Sequence, residues 1–111
     1  MKLTERQEAV LSEMCKIGRE NLYRYRESSP YLFEQDCKKV VAGDEYCVFG
    51  LGSLSYQVGH RLSLSAPAVL SVFKALERKG LVRRETSYPD HQRPRYWWPV
   101  TFASQLAAEL Q

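Results

Sequence analysis

Residues 62–82 read Leu62-Ser63-Leu64-Ser65-Ala66-Pro67-Ala68-Val69-Leu70-Ser71-Val72-Phe73-Lys74-Ala75-Leu76-Glu77-Arg78-Lys79-Gly80-Leu81-Val82. Ser65 carries the short hydroxyl side chain that suits a helix N-cap. Val69, Val72, Phe73 and Leu76 recur at three- and four-residue spacings, so they line one helix face. At ~100° per residue, Pro67, Ser71, Lys74 and Arg78 fall on the opposite face. Gly80 is a natural stop, with Arg78 and Lys79 in the last turn where the helix dipole favours cations. The pattern predicts a helix over residues 65–79 with one apolar and one basic face.

Upstream, Ser53 can cap a short helix whose Leu54, Val58 and Leu62 share a face, and Gly59 permits close approach of another helix. Ser63-Leu64-Ser65 is then a three-residue turn. Downstream, residues 81–86 read as a strand and residues 95–100 as the returning strand, joined by Tyr88-Pro89-Asp90-His91-Gln92-Arg93-Pro94. The two-residue period puts Tyr96, Trp98 and Val100 on the core face and leaves Trp97 for exposure or a subunit contact. Pro99 suits a strand end. Thr101 can cap a last helix carrying Phe102, Leu106 and Leu110.

The N-terminal part reads as two helices. Thr4 and Gln7 form a capping box, and Val10, Leu11, Met14, Ile17 and Leu22 give a buried stripe ending near Tyr25. Ser29 caps a second helix with Pro30 in its first position. Its buried residues are expected to be Tyr31, Leu32, Phe33, Cys37, Val40 and Val41, and Gly43 ends it. Tyr46-Cys47-Val48-Phe49 reads as a strand that needs a partner later in the chain.

Composition excludes several classes. The chain has 111 residues, 44% hydrophobic and 26% charged, which fits one globular domain. No apolar run is long enough to span a membrane, and the charged start lacks the apolar core of a secretory signal. Cys15, Cys37 and Cys47 are odd in number with no Cys-x-x-Cys spacing, so reduced thiols in a cytoplasmic protein are expected rather than a disulfide framework. His60 and His91 have no ligand at metal spacing, and no Gly-rich phosphate loop or Cys–His pair is readable. We therefore expect no metal, no cofactor and no enzymatic activity.

Charge is divided unevenly. Residues 1–50 carry 8 basic and 9 acidic side chains, whereas residues 51–111 carry 8 basic and 4 acidic. The excess falls between Arg61 and Arg95, which suits a polyanionic partner, although a solvated basic face would look the same.

Two short helices around a tight turn, followed by a two-stranded hairpin with a charged loop, make a winged helix-turn-helix. The fold class expected is mainly α with a small β-hairpin. Residues 1–111 form a single domain: N-terminal helices in 1–43, a winged-helix core in 44–100, and a C-terminal helix in 101–111. The stretch from Leu62 to Val82 resembles the helix-turn-helix of MarR-type regulators, down to the ending Leu76-Glu77-Arg78-Lys79-Gly80-Leu81-Val82. Gln92-Arg93-Pro94-Arg95-Tyr96-Trp97-Trp98-Pro99-Val100-Thr101 is similar to the wing and third strand of PadR-type regulators, which often read Gly-Arg-Pro-Arg, two aromatics, then Leu-Thr. Ser55-Tyr56-Gln57-Val58 resembles their Gly-Tyr-Glu-Ile helix.

The resemblance implies a transcriptional regulator, a repressor, that binds double-stranded DNA as a homodimer. The helix at 65–79 would enter the major groove and the wing at 88–95 would lie on the minor groove or backbone. Ser65, Ala66, Pro67, Ala68 and Ser71 would then face bases or phosphates. Lys74 and Arg78 would sit near the backbone or a guanine edge, and Arg83, Arg84, His91, Arg93 and Arg95 would supply the hairpin's charge. This face has no Asn or Gln to pair with adenine and no Arg in its first two turns. Reading through the wing and DNA shape is one alternative. A winged helix serving as a protein-interaction module is the other. Leu70 reads either as a contact for thymine methyl groups or as a residue packed on a neighbouring element. The run Tyr23-Arg24-Tyr25-Arg26 reads as a solvated helix end. A small-molecule effector is left open.

Overall fold

The computed structural model describes residues 2–42, 52–84 and 96–101. Among the described residues the chain forms helices α1 (Glu5–Ser28), α2 (Pro30–Val41), α3 (Ser55–Leu62) and α4 (Ala66–Arg78), and strands β1 (Val82–Arg84) and β2 (Trp97–Pro99). The architecture is mainly helical, with one small antiparallel sheet.

α1 begins at the expected capping box. Thr4 Oγ1 accepts from the Gln7 N–H and Gln7 Oε1 accepts from the Thr4 N–H, each at 3.1 Å. Val10, Met14, Ile17 and Leu22 are buried on one stripe, and α1 packs against α3, α4 and β2. It runs to Ser28, past the end expected near Tyr25. The break is a single residue. Ser29 donates its N–H to the Tyr25 carbonyl and accepts from the Phe33 N–H through its own carbonyl, closing α1 and opening α2.

α2 corrects an expectation. Phe33 is buried and meets Tyr25 edge-on, with ring centroids 5.6 Å apart. Tyr31 and Leu32, expected in the core, are 72% and 56% exposed. A helix offers only one stripe to a single neighbour, and Phe33 takes it. The two residues before it lie ~100° and ~200° away around the helix axis. Tyr25 also donates its hydroxyl to the Asp36 carboxylate, so the Tyr-Arg-Tyr-Arg run is partly an anchor for α2 rather than wholly a solvated end.

The turn between α3 and α4 is as tight as the spacing suggests. Ser63 adopts the left-handed conformation at φ 57°, and the Leu64 N–H donates to the Gly59 carbonyl at 2.9 Å. A Cβ on Gly59 would stand 2.5 Å from the Leu64 carbonyl oxygen, so this crossing requires glycine. Ser65 caps α4, its Oγ accepting from the Ala68 N–H at 3.3 Å, and Gly80 leaves the helix at φ +77°. Val69, Val72, Phe73 and Leu76 are buried as expected, and Leu70 is partly buried against the same core.

Ser53 is not the cap of α3. That position belongs to Leu54, whose N–H donates to Gln57 Oε1 at 2.8 Å and whose side chain returns nothing. Ser53 instead forms an antiparallel bridge with Trp97, both backbone hydrogen bonds being 2.8 Å long. Its hydroxyl is buried, without a hydrogen-bond partner among the described residues. β2 therefore lies between two neighbours: Ser53 on one side and β1 on the other, in the register Val82↔Pro99, Arg83↔Trp98, Arg84↔Trp97.

This placement overturns the expected facing of β2. Trp97, expected outside, is 5% exposed and packs on Phe73 at 5.3 Å between ring centroids. Trp98 is buried too, while Val100, expected inside, is 42% exposed. Alternation fails because β2 has α1 packed against it as well as Phe73 of α4, which removes the solvent face that a half-buried strand would have.

The side chains of Cys37, Val40 and Val41 lie outside the described residues. So do Gly43, the expected strand at 46–49, the loop at 88–94 and the expected helix beyond Thr101. No helix among the described residues is long and apolar enough to cross a membrane.

Truncating Trp97 to Ala should cost about 3–5 kcal/mol in urea unfolding, the usual cost of emptying a core aromatic site, whereas Val100→Ala should stay within about 0.5 kcal/mol.

Candidate nucleic-acid interface

The outer face of α4 is continuous. Ser65, Pro67, Ser71, Lys74 and Arg78 are exposed, with Ala66 and Ala68 half-buried beside them. The sequence-derived set on this helix is thus brought together on one surface. Pro67 has no N–H, and Ser65 Oγ is already engaged as the cap. The first turn therefore offers few donors, and the charge lies one to three turns further along.

Each cation near this surface can be sorted by whether a neighbour holds it. Lys74 and Arg78 have no hydrogen-bond or ion-pair partner among the described residues. Arg83 is exposed on β1. Arg84, expected beside them as a contact, is held internally. Its Nε and Nη2 each stand 3.0 Å from a carboxylate oxygen of Glu77, and its guanidinium lies 4.9 Å from the centre of the Trp97 ring. The hydrogen bonds that Arg84 donates to Glu77 hold the Arg84 pKa above its ordinary value. Lys79 donates to Gln7 Oε1 at 3.3 Å, which ties the end of α4 to the start of α1. His91, Arg93 and Arg95 lie outside the described residues.

A second feature is not legible in the sequence. A groove of about 570 Å³ runs between α1 and α3, lined by Asn21, Arg24, Tyr56, His60 and Arg61 among others. Arg61 is clamped there by Glu20 at 2.6 Å and Glu13 at 3.5 Å. The Arg61 hydrogen bond lowers the Glu20 pKa, and the same contact raises that of Arg61. The contributing residues are some forty positions apart, so no local pattern announces them. Tyr56 and His60, one helical turn apart, are the one available hint.

Cys15 is half-buried on α1. Burial pushes its thiol pKa up, against the smaller lowering effects of Arg19 and a hydrogen bond with Thr101. No cluster of three or more His, Cys, Asp or Glu able to hold a metal ion occurs among the described residues. The chain matches no known family, and no curated protein or solved structure shows significant similarity to it.

Because Arg61 lowers the folded-state pKa of Glu20, the pair stabilises the fold above the ordinary carboxylate pKa. That contribution disappears as pH falls through the depressed value. Both side chains are well exposed, so Glu20→Gln should cost at most about 1 kcal/mol at pH 7 and almost nothing at pH 2, as read from urea midpoints at the two pH values.

Proposed function

We propose that this chain is a sequence-specific, double-stranded-DNA-binding regulator of transcription, built as a winged helix-turn-helix of the PadR/MarR kind. In this reading it acts in the cytoplasm as a homodimeric repressor that occludes its site. α3 and α4 are the helix-turn-helix, and β1 and β2 are the base of the wing. α4 enters the major groove with Lys74 and Arg78 at the phosphates or a guanine edge. Ser65, Ala66, Pro67, Ala68 and Ser71 form the closely approaching surface. Arg83, with His91, Arg93 and Arg95 of the wing, adds backbone or minor-groove contacts.

The observation that carries the reading is the contrast among cations. Arg61, Lys79 and Arg84 are held by neighbours, while Lys74 and Arg78 stand one helical turn apart on an exposed face, without a partner among the described residues. Unpaired cations on a rigid helix can neutralise phosphates without first breaking an internal ion pair. The exposed apolar Tyr31 and Leu32 on α2 support the homodimer as residues that a subunit contact would cover.

A second reading has its own support. Ala66, Pro67 and Ala68 give the start of α4 a small, largely apolar surface, which suits a protein partner better than base edges. In that case the winged helix is an interaction module without sequence preference on DNA.

Selection of bound duplexes from random DNA should yield one preferred site. On that site, replacing Lys74 and Arg78 together by Ala should weaken binding and lower the log–log salt slope by about 1.8, at ~0.9 per phosphate contact. Arg93→Ala with Arg95→Ala should have a similar effect. No enriched duplex, or an unchanged slope in both double variants, would overturn the DNA reading in favour of the second one.

A further inference from the structure

We propose that Arg84 is a positioning residue that sets the angle of the β1–β2 pair against α4, and not itself a ligand of DNA. The proposal rests on the duplex-DNA reading of α4 and deepens it.

Four side chains close a circuit. Phe73 and Glu77 are one turn apart on the same face of α4. Glu77 takes the Arg84 guanidinium at two points, both 3.0 Å long. Arg84 and Trp97 are directly paired across the sheet, and the Arg84 guanidinium lies over the Trp97 ring at 4.9 Å. Trp97 returns to Phe73 at 5.3 Å. The path therefore runs from α4 to β1, across to β2 and back to α4.

A two-point guanidinium–carboxylate fork fixes direction as well as distance, and stacking on an indole fixes the remaining tilt. The pair is partly exposed, with side-chain accessibilities of 40% for Arg84 and 33% for Glu77, so it adds little to global stability. What it constrains is orientation. Lys74 and Arg78 are exposed on α4, ~60° and ~100° around the helix axis from Glu77 and farther from the buried Phe73. The chain from β1 to β2 carries Arg93 and Arg95. If both cation sets meet one duplex, their relative angle must be set before docking, or ordering it will subtract from affinity.

The rival assignment has Arg84 leaving Glu77 to meet a phosphate, and two conservative variants separate the two. Arg84→Lys keeps the charge but loses the fork and the flat stack. Glu77→Gln keeps the shape but removes the anchoring charge. If Arg84 positions the sheet, each variant lowers affinity for the selected duplex about three- to tenfold, in the lower part of the range for coupled contacting residues. The salt slope then stays at the wild-type value, and the double variant loses no more than either single one. If Arg84 is a ligand, Arg84→Lys binds almost as well as wild type and Glu77→Gln binds more tightly. Either of those results overturns the proposal.

Hydrogen exchange on the free protein tests the same role without DNA. Protection of the Trp97 and Ser53 N–H groups should fall in both variants and stay unchanged in Lys74→Ala. Equal protection in all of them overturns the positioning role. A wild-type chain that binds no duplex overturns the proposed function alone, and the exchange rates then decide whether Arg84 holds the sheet.

Discussion

Trp97 has a neighbour in every direction. Phe73 of α4 lies against its ring, and the Arg84 guanidinium stacks on it. Its own N–H and carbonyl are spent on Ser53, while Arg84 pairs with it from the neighbouring strand. A short strand cannot bury an indole on this scale unless elements distant in sequence arrive together. Residues 52–53 are positioned by the Trp97 backbone, and α4, β1 and α1 pack in part around its side chain. The tolerance is small. A Cβ on Gly52 would stand 2.7 Å from the Trp97 carbonyl oxygen and 3.2 Å from Trp98 Cδ1, so the chain can pass Trp97 closely only because that residue is glycine.

This arrangement explains which parts of the fold can be read from the sequence. α1, α4, the capping box at Thr4 and the cap at Ser65 are local. Each depends on residues within four positions of one another, and periodicity finds them. Ser53 is ambiguous locally, because serine before a short apolar helix looks like a cap whether or not the backbone is needed elsewhere. Its actual partner is Trp97, far along the chain. The facing of β2 misleads for a related reason. A two-residue period describes a strand with one wet face, and β2 has none. The adjacent pair Trp97-Trp98 is a usable sign of burial on both sides. On α2, the apolar run from Tyr31 to Phe33 is denser than one helix stripe can hold, so some of it has to face outward.

The candidate site divides in the same way. That Lys74 and Arg78 oppose the buried stripe follows from ~100° per residue. That Arg84 is held follows from a contact across a helix–strand junction, beyond the reach of i, i+4 rules. The uneven charge of the chain also changes meaning in three dimensions. Glu13 and Glu20 of α1 neutralise Arg61, and Gln7 engages Lys79. The N-terminal helix thus neutralises Arg61 and engages Lys79, whereas Lys74 and Arg78 on α4 have no such partner among the described residues.

The pinning of β1 and β2 has one consequence for how such a molecule could change over time. Arg84 and Trp97 are tied to each other and to α4 by contacts that do not involve residues 85–95. Substitutions or length changes within that stretch delete none of the side chains that make these contacts. α4 is different, because the helix that carries its outer residues also carries Val69, Val72, Phe73 and Leu76 of the core, so its length and direction cannot change without moving that core. In the proposed DNA-binding reading, diversification of target preference would therefore proceed first through the segment between the strands, with α4 as the slower, more conservative partner.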